Sequence, residues 1–93
     1  MWTWDKNKDR SNHQKHGLSF STAQTVFDDP LALSRLDPHN HEERWQTVGR
    51  IGTVLVFVIH TFPTQTGEAE IGRIISARRA TAHERRAYEE GEF

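Results

Sequence analysis

The sequence contains no cysteine, which excludes disulfide bonds, thiolate zinc sites and thiol nucleophiles. It also contains no long apolar run, because the longest, Val54–Ile59, is far too short to span a bilayer. The opening residues, MWTWDKNK, lack the apolar stretch of a signal peptide. We therefore expect a cytoplasmic protein that makes no contact with a membrane.

Apolar residues are scarce as well, at 34% of the 93 residues, whereas charged residues make up 27%. A chain of this length predicts a single domain, residues 1–93, with a thin core. Aromatic residues reach 10% of the sequence. This composition is typical of a small globular domain with a polar surface and not of a disordered chain.

The charges are distributed unevenly along the chain. The formal net charge is −1, which argues against bulk electrostatic binding to nucleic acid. Residues 1–20 nevertheless carry an excess of basic groups, as do residues 71–93, and the middle of the chain is acidic. If the two ends meet in the fold, they form a local cationic site; the alternative is a mixed, solvated surface.

Between Asp5 and His16 there is no aliphatic or aromatic residue, so periodicity gives no evidence of a helix there. Asp5 is a plausible N-cap and Gly17 a plausible C-terminal stop, and together they predict a polar helix of about three turns. A second helix is predicted from Ser19 until the Asp-Asp-Pro sequence at 28–30. Its apolar stripe consists of Phe20, Ala23, Val26 and Phe27.

The remainder of the chain alternates between strand-like segments and turns. Four strands are predicted at residues 31–36, 44–49, 53–60 and 69–79, with FPTQTGE as a longer hairpin loop and a short strand at residues 1–4. The third is apolar throughout, which indicates a central strand. Thr81 and Glu84 match a capping box before a last helix that stops at Gly91.

These elements predict an α+β fold in the order β-α-α-β-β-β-β-α. A four-stranded antiparallel meander, joined by the short N-terminal strand, would carry two N-terminal helices and one C-terminal helix packed on the sheet.

Arginines are concentrated near the C-terminus. Arg73, Arg78 and Arg79 belong to the last predicted strand, and guanidinium groups bind phosphates and stabilise charge that develops at phosphorus. A regular strand would turn Arg73 and Arg78 to opposite faces, so that only a bulge could place both in one cleft. Arg85 and Arg86 follow on the last helix. Their spacing from Glu89 and Glu90 also permits simple surface ion pairs.

Six histidines are many for 93 residues. His16, beside Lys15 and Gly17, is the best candidate for acid–base chemistry, although a histidine there could simply complement the helix dipole. A second hypothesis is a metal site formed by Asp37, His39, His41 and Glu42. Their spacing resembles no well-defined site.

Two aromatic residues have alternative interpretations. Trp45 and Tyr88 could stack on nucleic-acid bases, but core packing is the simpler role for both.

The order and spacing of several motifs resemble one family. The segments are WDKNKDRSNHQKHGLSF, AQTVFDDPLAL, EERWQTVGR and RIISARRATAHERRAYEEG. They are similar, from Trp4 to Gly91, to the BrnT toxins of bacterial type II toxin–antitoxin systems. One departure is His13, where the family usually has an aliphatic residue, and it removes the only apolar contact expected from the first helix.

The resemblance implies a fold similar to RelE-type ribonuclease toxins. It implies an endoribonuclease that cuts RNA, blocks translation and arrests growth, with no cofactor. It also implies a BrnA-type antitoxin as partner, with two toxins on an antitoxin dimer, and contact with operator DNA only through that antitoxin. The competing hypothesis is an inactive homologue that only binds its antitoxin.

The resemblance also suggests site residues. The catalytic candidates are Lys8, His16, Arg73, Arg78, Arg79 and Glu84. The substrate-binding candidates are Asn12, Lys15, Arg44, Ser76 and Arg85. In the mechanism we expect, the three strand arginines clamp the phosphate, the helix lysines and His16 contact substrate and transfer protons, and Glu84 orients an arginine or acts as base. No metal ion is expected.

Overall fold

The computed structural model describes residues 1–38, 41–62, 64–66 and 69–93. In chain order its elements are β1 (Trp2–Thr3), α1 (Lys6–His16), α2 (Phe20–Ala23), a 3-10 helix (Gln24–Asp28), β2 (Leu33–Asp37), β3 (Arg44–Ile51), β4 (Val54–His60), β5 (Thr64–Thr66), β6 (Ala69–Arg79) and α3 (Ala82–Glu90). Within these ranges, no helix combines the length and the apolar character that crossing a bilayer requires.

The strands form one mixed sheet in the order β1-β6-β4-β3-β2. The predicted meander of β2, β3, β4 and β6 is confirmed, and all its pairs are antiparallel. The short N-terminal strand is confirmed too, and it joins β6 in parallel by pairing Trp2 with Gly72. The loop predicted for FPTQTGE is wrong in part, because β5 lies within it and pairs with β6. Its Pro63, Gly67 and Glu68 lie outside the described residues.

The core occupies both faces of the central strand β4, as its unbroken apolar sequence predicts. One face packs against the N-terminal helices through a buried cluster comprising Phe20, Ala23, Val26, Val56, Val58, Ile74 and Ala77. On the other face, Tyr88 of α3 packs with Val48 and Leu55. Burying each large apolar side chain contributes about 1.5–3 kcal/mol.

The second helix is shorter than predicted and continues as a 3-10 helix from Gln24 to Asp28. Its buried residues Phe20, Ala23 and Val26 recur every third position, a spacing that keeps them on one face across the α-helical and 3-10 parts. The close approach of Val26 to β3 is possible because residue 49 is glycine, where a Cβ atom would come within 2.7 Å of Val26 Cγ2.

The polar first helix forms with the predicted ends. Asp5 accepts hydrogen bonds from the backbone N–H groups of Asn7 and Lys8, and Gly17 takes the left-handed conformation, with φ of 68°. His13, which replaces the family's aliphatic residue, is exposed. The helix is joined to the next one by a polar contact instead, in which Asp9 Oδ1 accepts from Phe20 N–H at 2.8 Å.

A β-bulge interrupts β6. Ile59 pairs with Ser76 but His60 pairs with Ile74, so Ile75 is an extra residue in the strand. The extra residue shifts the alternation of side chains. Arg78 pairs with Phe57 across β4, and Thr61 N–H donates to the carbonyl of Arg73. The pleat therefore turns Arg73 and Arg78 to the same face, at opposite ends of the strand.

Candidate functional site

Three of the basic residues of α1 lie along one side of the helix. Lys15 and His16 follow Lys8 by about two turns, so the three side chains project from the same side of the helix. This face borders the bulge of β6 and forms a shallow cleft of about 220 Å³, lined by Lys8, Ser11, Asn12, Lys15, His16, Ile75 and Ser76. The three basic side chains are exposed and available to a ligand.

A second cleft, of about 160 Å³, adjoins the first at His16. Its lining residues are His16, Gly17, Leu18, Thr22, Ile51, Val54, Val56 and Arg79. Arg79 pairs with Val56 across β4 and so faces the N-terminal helices, opposite to Arg78. In the described part of the chain no carboxylate lies within ion-pair distance of Arg79. We call the two adjoining clefts, with Lys8, Lys15, His16, Ser76 and Arg79, the basic cleft.

Asn12 lies at the base of this cleft and is almost completely buried, with 8% exposed. Its Nδ2 donates to the carbonyl oxygens of Ala77 at 2.8 Å and Leu18 at 2.9 Å. Its Oδ1 accepts from Ala77 N–H at 3.2 Å. The Asn12 amide is thus engaged with the protein backbone rather than presented at the surface.

Arg78 and Glu84 form a bidentate pair on the other face of the sheet. Nη1 and Nη2 of Arg78 donate to the two carboxylate oxygens at 2.8 and 2.9 Å, and the guanidinium lies 4.3 Å from the Phe57 ring centroid. Burial alone would raise the pKa of Glu84, but the hydrogen bonds from Arg78 and from Thr81 N–H outweigh it and lower the pKa below the usual 4.5. Of the two roles expected for Glu84, the geometry fits an ionised group that holds an arginine.

Arg73 and Arg44 share another carboxylate, Glu42. Arg73 Nη2 lies 2.5 Å and Arg44 Nε 3.2 Å from Glu42 Oε1. These contacts lower the pKa of Glu42, and the hydrogen bond from Arg44 has the largest effect. Arg73 lines a separate cleft of about 490 Å³ with Glu42, Glu43, Thr3, Thr61, Phe62, Ile71 and Gly72.

The structure therefore does not bring the three strand arginines together. Arg79 lies in the basic cleft, whereas Arg78 is held by Glu84 and Arg73 by Glu42. Arg85 is exposed on α3. Among the ion pairs of the described residues, neither Arg85–Glu89 nor Arg86–Glu90 occurs.

The two aromatic candidates have structural contacts. Tyr88 is a buried core residue, and its hydroxyl donates to Asp29 at 2.7 Å, so its core role is confirmed. Trp45 is half-buried and meets Phe62 edge-on, with ring centroids 4.7 Å apart.

The metal hypothesis depends on His39, which lies outside the described residues. Within the described ranges no group of three or more His, Asp or Glu side chains is arranged to hold a metal ion.

Sequence reasoning missed the apolar wall of the basic cleft, formed by Leu18, Ile51 and Val54. The sequence carries no signal for this wall, because Val54 belongs to an apolar run and only the fold leaves it 37% exposed. Sequence reasoning also missed that Lys8, Asn12 and His16 follow an i, i+4, i+8 spacing, which places the amide and two basic groups on one face.

Comparison with known proteins places this chain among the ribonuclease toxins of type II toxin–antitoxin systems. The matching family model is described as "Ribonuclease toxin, BrnT, of type II toxin-antitoxin system" and covers residues 4–84. The chain belongs to the BrnT family, as the sequence motifs indicate. A search of curated proteins gave no match.

Proposed function

We propose that this BrnT-family chain is a metal-independent endoribonuclease and that RNA is cleaved in the basic cleft. The observation that carries the proposal is that His16, from the N-terminal helix, and Arg79, from the last strand, line the same cleft. His16 also borders the groove that contains Lys8 and Lys15. A group suited to proton transfer thus adjoins three cations that can neutralise phosphate.

The proposed reaction uses the RNA's own nucleophile. The 2′-oxygen attacks the adjacent phosphorus, its proton passes to a base, and the bond to the 5′-oxygen breaks as that oxygen is protonated. The products are a 2′,3′-cyclic phosphate and a 5′-hydroxyl. His16 performs one of the two proton transfers, and Arg79 and Lys15 stabilise the charge on the non-bridging oxygens. Lys8 and Ser76 contact the neighbouring backbone of the RNA.

Arg78 and Glu84 support this site indirectly in the proposal. Besides its pair with Glu84, Arg78 Nη1 donates to the carbonyl oxygen of Arg79 at 3.1 Å. The pair would thereby hold the end of β6 in place, and both residues become positioning groups. Arg73, Arg44 and Arg85 lie away from the basic cleft and would contact more distant parts of the RNA.

Family membership supports further proposals about partners and fold. A BrnA-type antitoxin neutralises the protein, two toxins bind one antitoxin dimer, and operator DNA is contacted only through the antitoxin. A likeness to RelE-type toxins is also proposed, and helices packed on an antiparallel meander are compatible with it.

The test is cleavage of RNA by purified, antitoxin-free protein in EDTA. We expect cleavage by the wild-type protein and a loss of at least about 100-fold in His16→Gln and Arg79→Gln, since removing one charge-stabilising group costs about that much. His13→Gln and Arg86→Gln are the matched controls, because these exposed residues line neither part of the basic cleft.

Three outcomes would contradict the proposal. Cleavage that requires added divalent metal would favour the hypothesis of a metal site formed by Asp37, His39, His41 and Glu42. Equal activity in the cleft and control variants would locate the site elsewhere. A folded wild-type protein that cleaves no RNA would favour the antitoxin-binding role alone.

A further inference from the structure

The contact between Asn12 and Ala77 reproduces the pairing of two β-strands. In an antiparallel pair, opposed residues exchange N–H···O bonds in both directions. Here the Asn12 amide donates to the carbonyl of Ala77 and accepts from its N–H group. A helix side chain therefore occupies the place that a neighbouring strand would take.

The site of this contact is the open side of β6. One side of β6 pairs with β4 along residues 74–79, and on the other side β1 pairs only with Gly72 and Arg73. Beyond Arg73 the outer backbone groups need other partners, because a buried unpaired N–H or C=O group is costly. Asn12 satisfies both groups at Ala77, two residues before Arg79.

Few other side chains of α1 could attach the helix to the sheet. The segment from Asp5 to His16 has no apolar side chain, and Asp9 ties the helix to Phe20 rather than to the sheet. Asn12 is the buried residue of the helix. Its third hydrogen bond, to the Leu18 carbonyl, fixes the turn that follows His16.

We infer that Asn12 is a positioning residue that sets His16 and Lys15 of α1 against Arg79 of β6. This inference rests on the proposed function. In this role Asn12 does not contact the substrate. Its amide fixes the spacing between the two halves of the basic cleft. A displacement of about 1 Å in a catalytic group can cost about 100-fold in rate.

Asn12→Asp provides a specific test. The ionised carboxylate would face the carbonyl oxygens of Ala77 and Leu18 without a donor, and burial would raise its pKa. Once protonated, the carboxyl group can donate to the Ala77 carbonyl and accept from its N–H, as the amide does. We therefore expect kcat to fall about 10- to 100-fold near neutral pH, with KM changed less than about threefold. The deficit relative to wild type at the same pH should shrink as the pH is lowered.

Asp9→Ala is the matched control. It removes the other polar anchor of α1 but leaves the pairing with Ala77, so it reports the effect of lost stability alone. Asn12→Ala should lose more kcat than Asp9→Ala when both are assayed below their unfolding temperatures. It should not recover at low pH.

Amide exchange of Ala77 provides a readout that needs no activity. The Ala77 N–H should be protected in the wild type and in Asp9→Ala, and exchange faster in Asn12→Ala. Equal protection in all variants, or a kcat deficit in Asn12→Asp that matches Asp9→Ala and is constant with pH, would overturn the inference. If the wild type cleaves no RNA, the proposed function fails. The positioning role can still be tested by measuring nuclear Overhauser contacts between α1 and β6 in Asn12→Ala. Contacts unchanged from the wild type would refute the positioning role.

Discussion

Arg78 and Glu84 are joined by two parallel hydrogen bonds, and Glu84 Oε1 also accepts from Thr81 N–H at 2.9 Å. One carboxylate thus completes the capping box of α3 and fixes the end of β6. The pair therefore links the last strand to the last helix.

Glu84→Gln and Glu84→Ala should separate these two functions. The amide oxygen introduced by Glu84→Gln can keep the capping bond, but the ion pair is lost. We expect a loss of about 1 kcal/mol in the free energy of unfolding, because Arg78 is partly exposed to solvent. Glu84→Ala loses both contacts and should cost about 2–3 kcal/mol. Urea unfolding measures both variants, and a double-mutant cycle with Arg78→Gln isolates the pair. Equal costs for the two variants would show that the capping bond contributes nothing, and zero coupling in the double-mutant cycle would show the same of the ion pair.

Because of His60, we expect the stability of the protein to decrease below neutral pH. It is fully buried, with Nε2 2.6 Å from Thr47 Oγ1 and ring contacts to Trp2, Phe27 and Phe62. Burial lowers its pKa below the ordinary 6.5. The unfolded chain therefore binds a proton more readily than the folded one, and the free energy of unfolding should fall as the pH drops through about 6.5 towards the folded pKa.

Urea unfolding at about pH 7.5 and about pH 5.5 checks this prediction, since carboxylates titrate mostly below that window. His83→Gln, at an exposed position of α3, should keep the same pH dependence. Equal stability of the wild type at the two pH values would contradict it.

The single tyrosine of the chain predicts a spectroscopic signature. The hydrogen bond that Tyr88 donates to Asp29, together with burial, raises its pKa above 10.0. Ultraviolet titration of the phenol should therefore have a midpoint above 10.0. In Asp29→Asn, which removes the anionic acceptor, the midpoint should move down. The exposed neighbour Asp28 provides the control Asp28→Asn, which should leave the midpoint unchanged.

The same bond should stabilise the fold. Tyr88→Phe should lower the free energy of unfolding by about 1–3 kcal/mol, because a bond to a charged acceptor is lost while the ring stays packed. A Tyr88→Phe variant as stable as the wild type would show that the bond to Asp29 makes no net contribution.

Much of the fold is encoded locally and could be predicted. Asp5 and Gly17 determine the ends of α1, and the capping box of Thr81 with Glu84 marks the start of α3, because caps act within one turn of the chain. The apolar run of β4 identified the central strand for a similar reason, since burial on both faces leaves no place for polar residues.

The grouping of the arginines could not be predicted in the same way. Their positions depend on the bulge at Ile75, and a bulge is defined by the partner strand rather than by the bulged strand's own sequence. The partner carboxylate Glu42 comes from the connection before β3, so no local spacing reveals that it binds Arg73. For Asn12, the polar sequence gave no indication of burial, because the contact is made with backbone atoms of Ala77.

The parallel pairing of β1 with β6 has a consequence for biosynthesis. Trp2 lies against Gly72, where a Cβ atom would come within 2.6 Å of the indole ring, and Asn12 likewise needs Ala77. The ribosome synthesises α1 first, and the strand edge that receives Asn12 follows 65 residues later. Contacts between residues so distant in sequence carry a loop-closure entropy cost, and they require both partners to be present. A nascent chain that ends before β6 therefore cannot dock its N-terminal strand and helix.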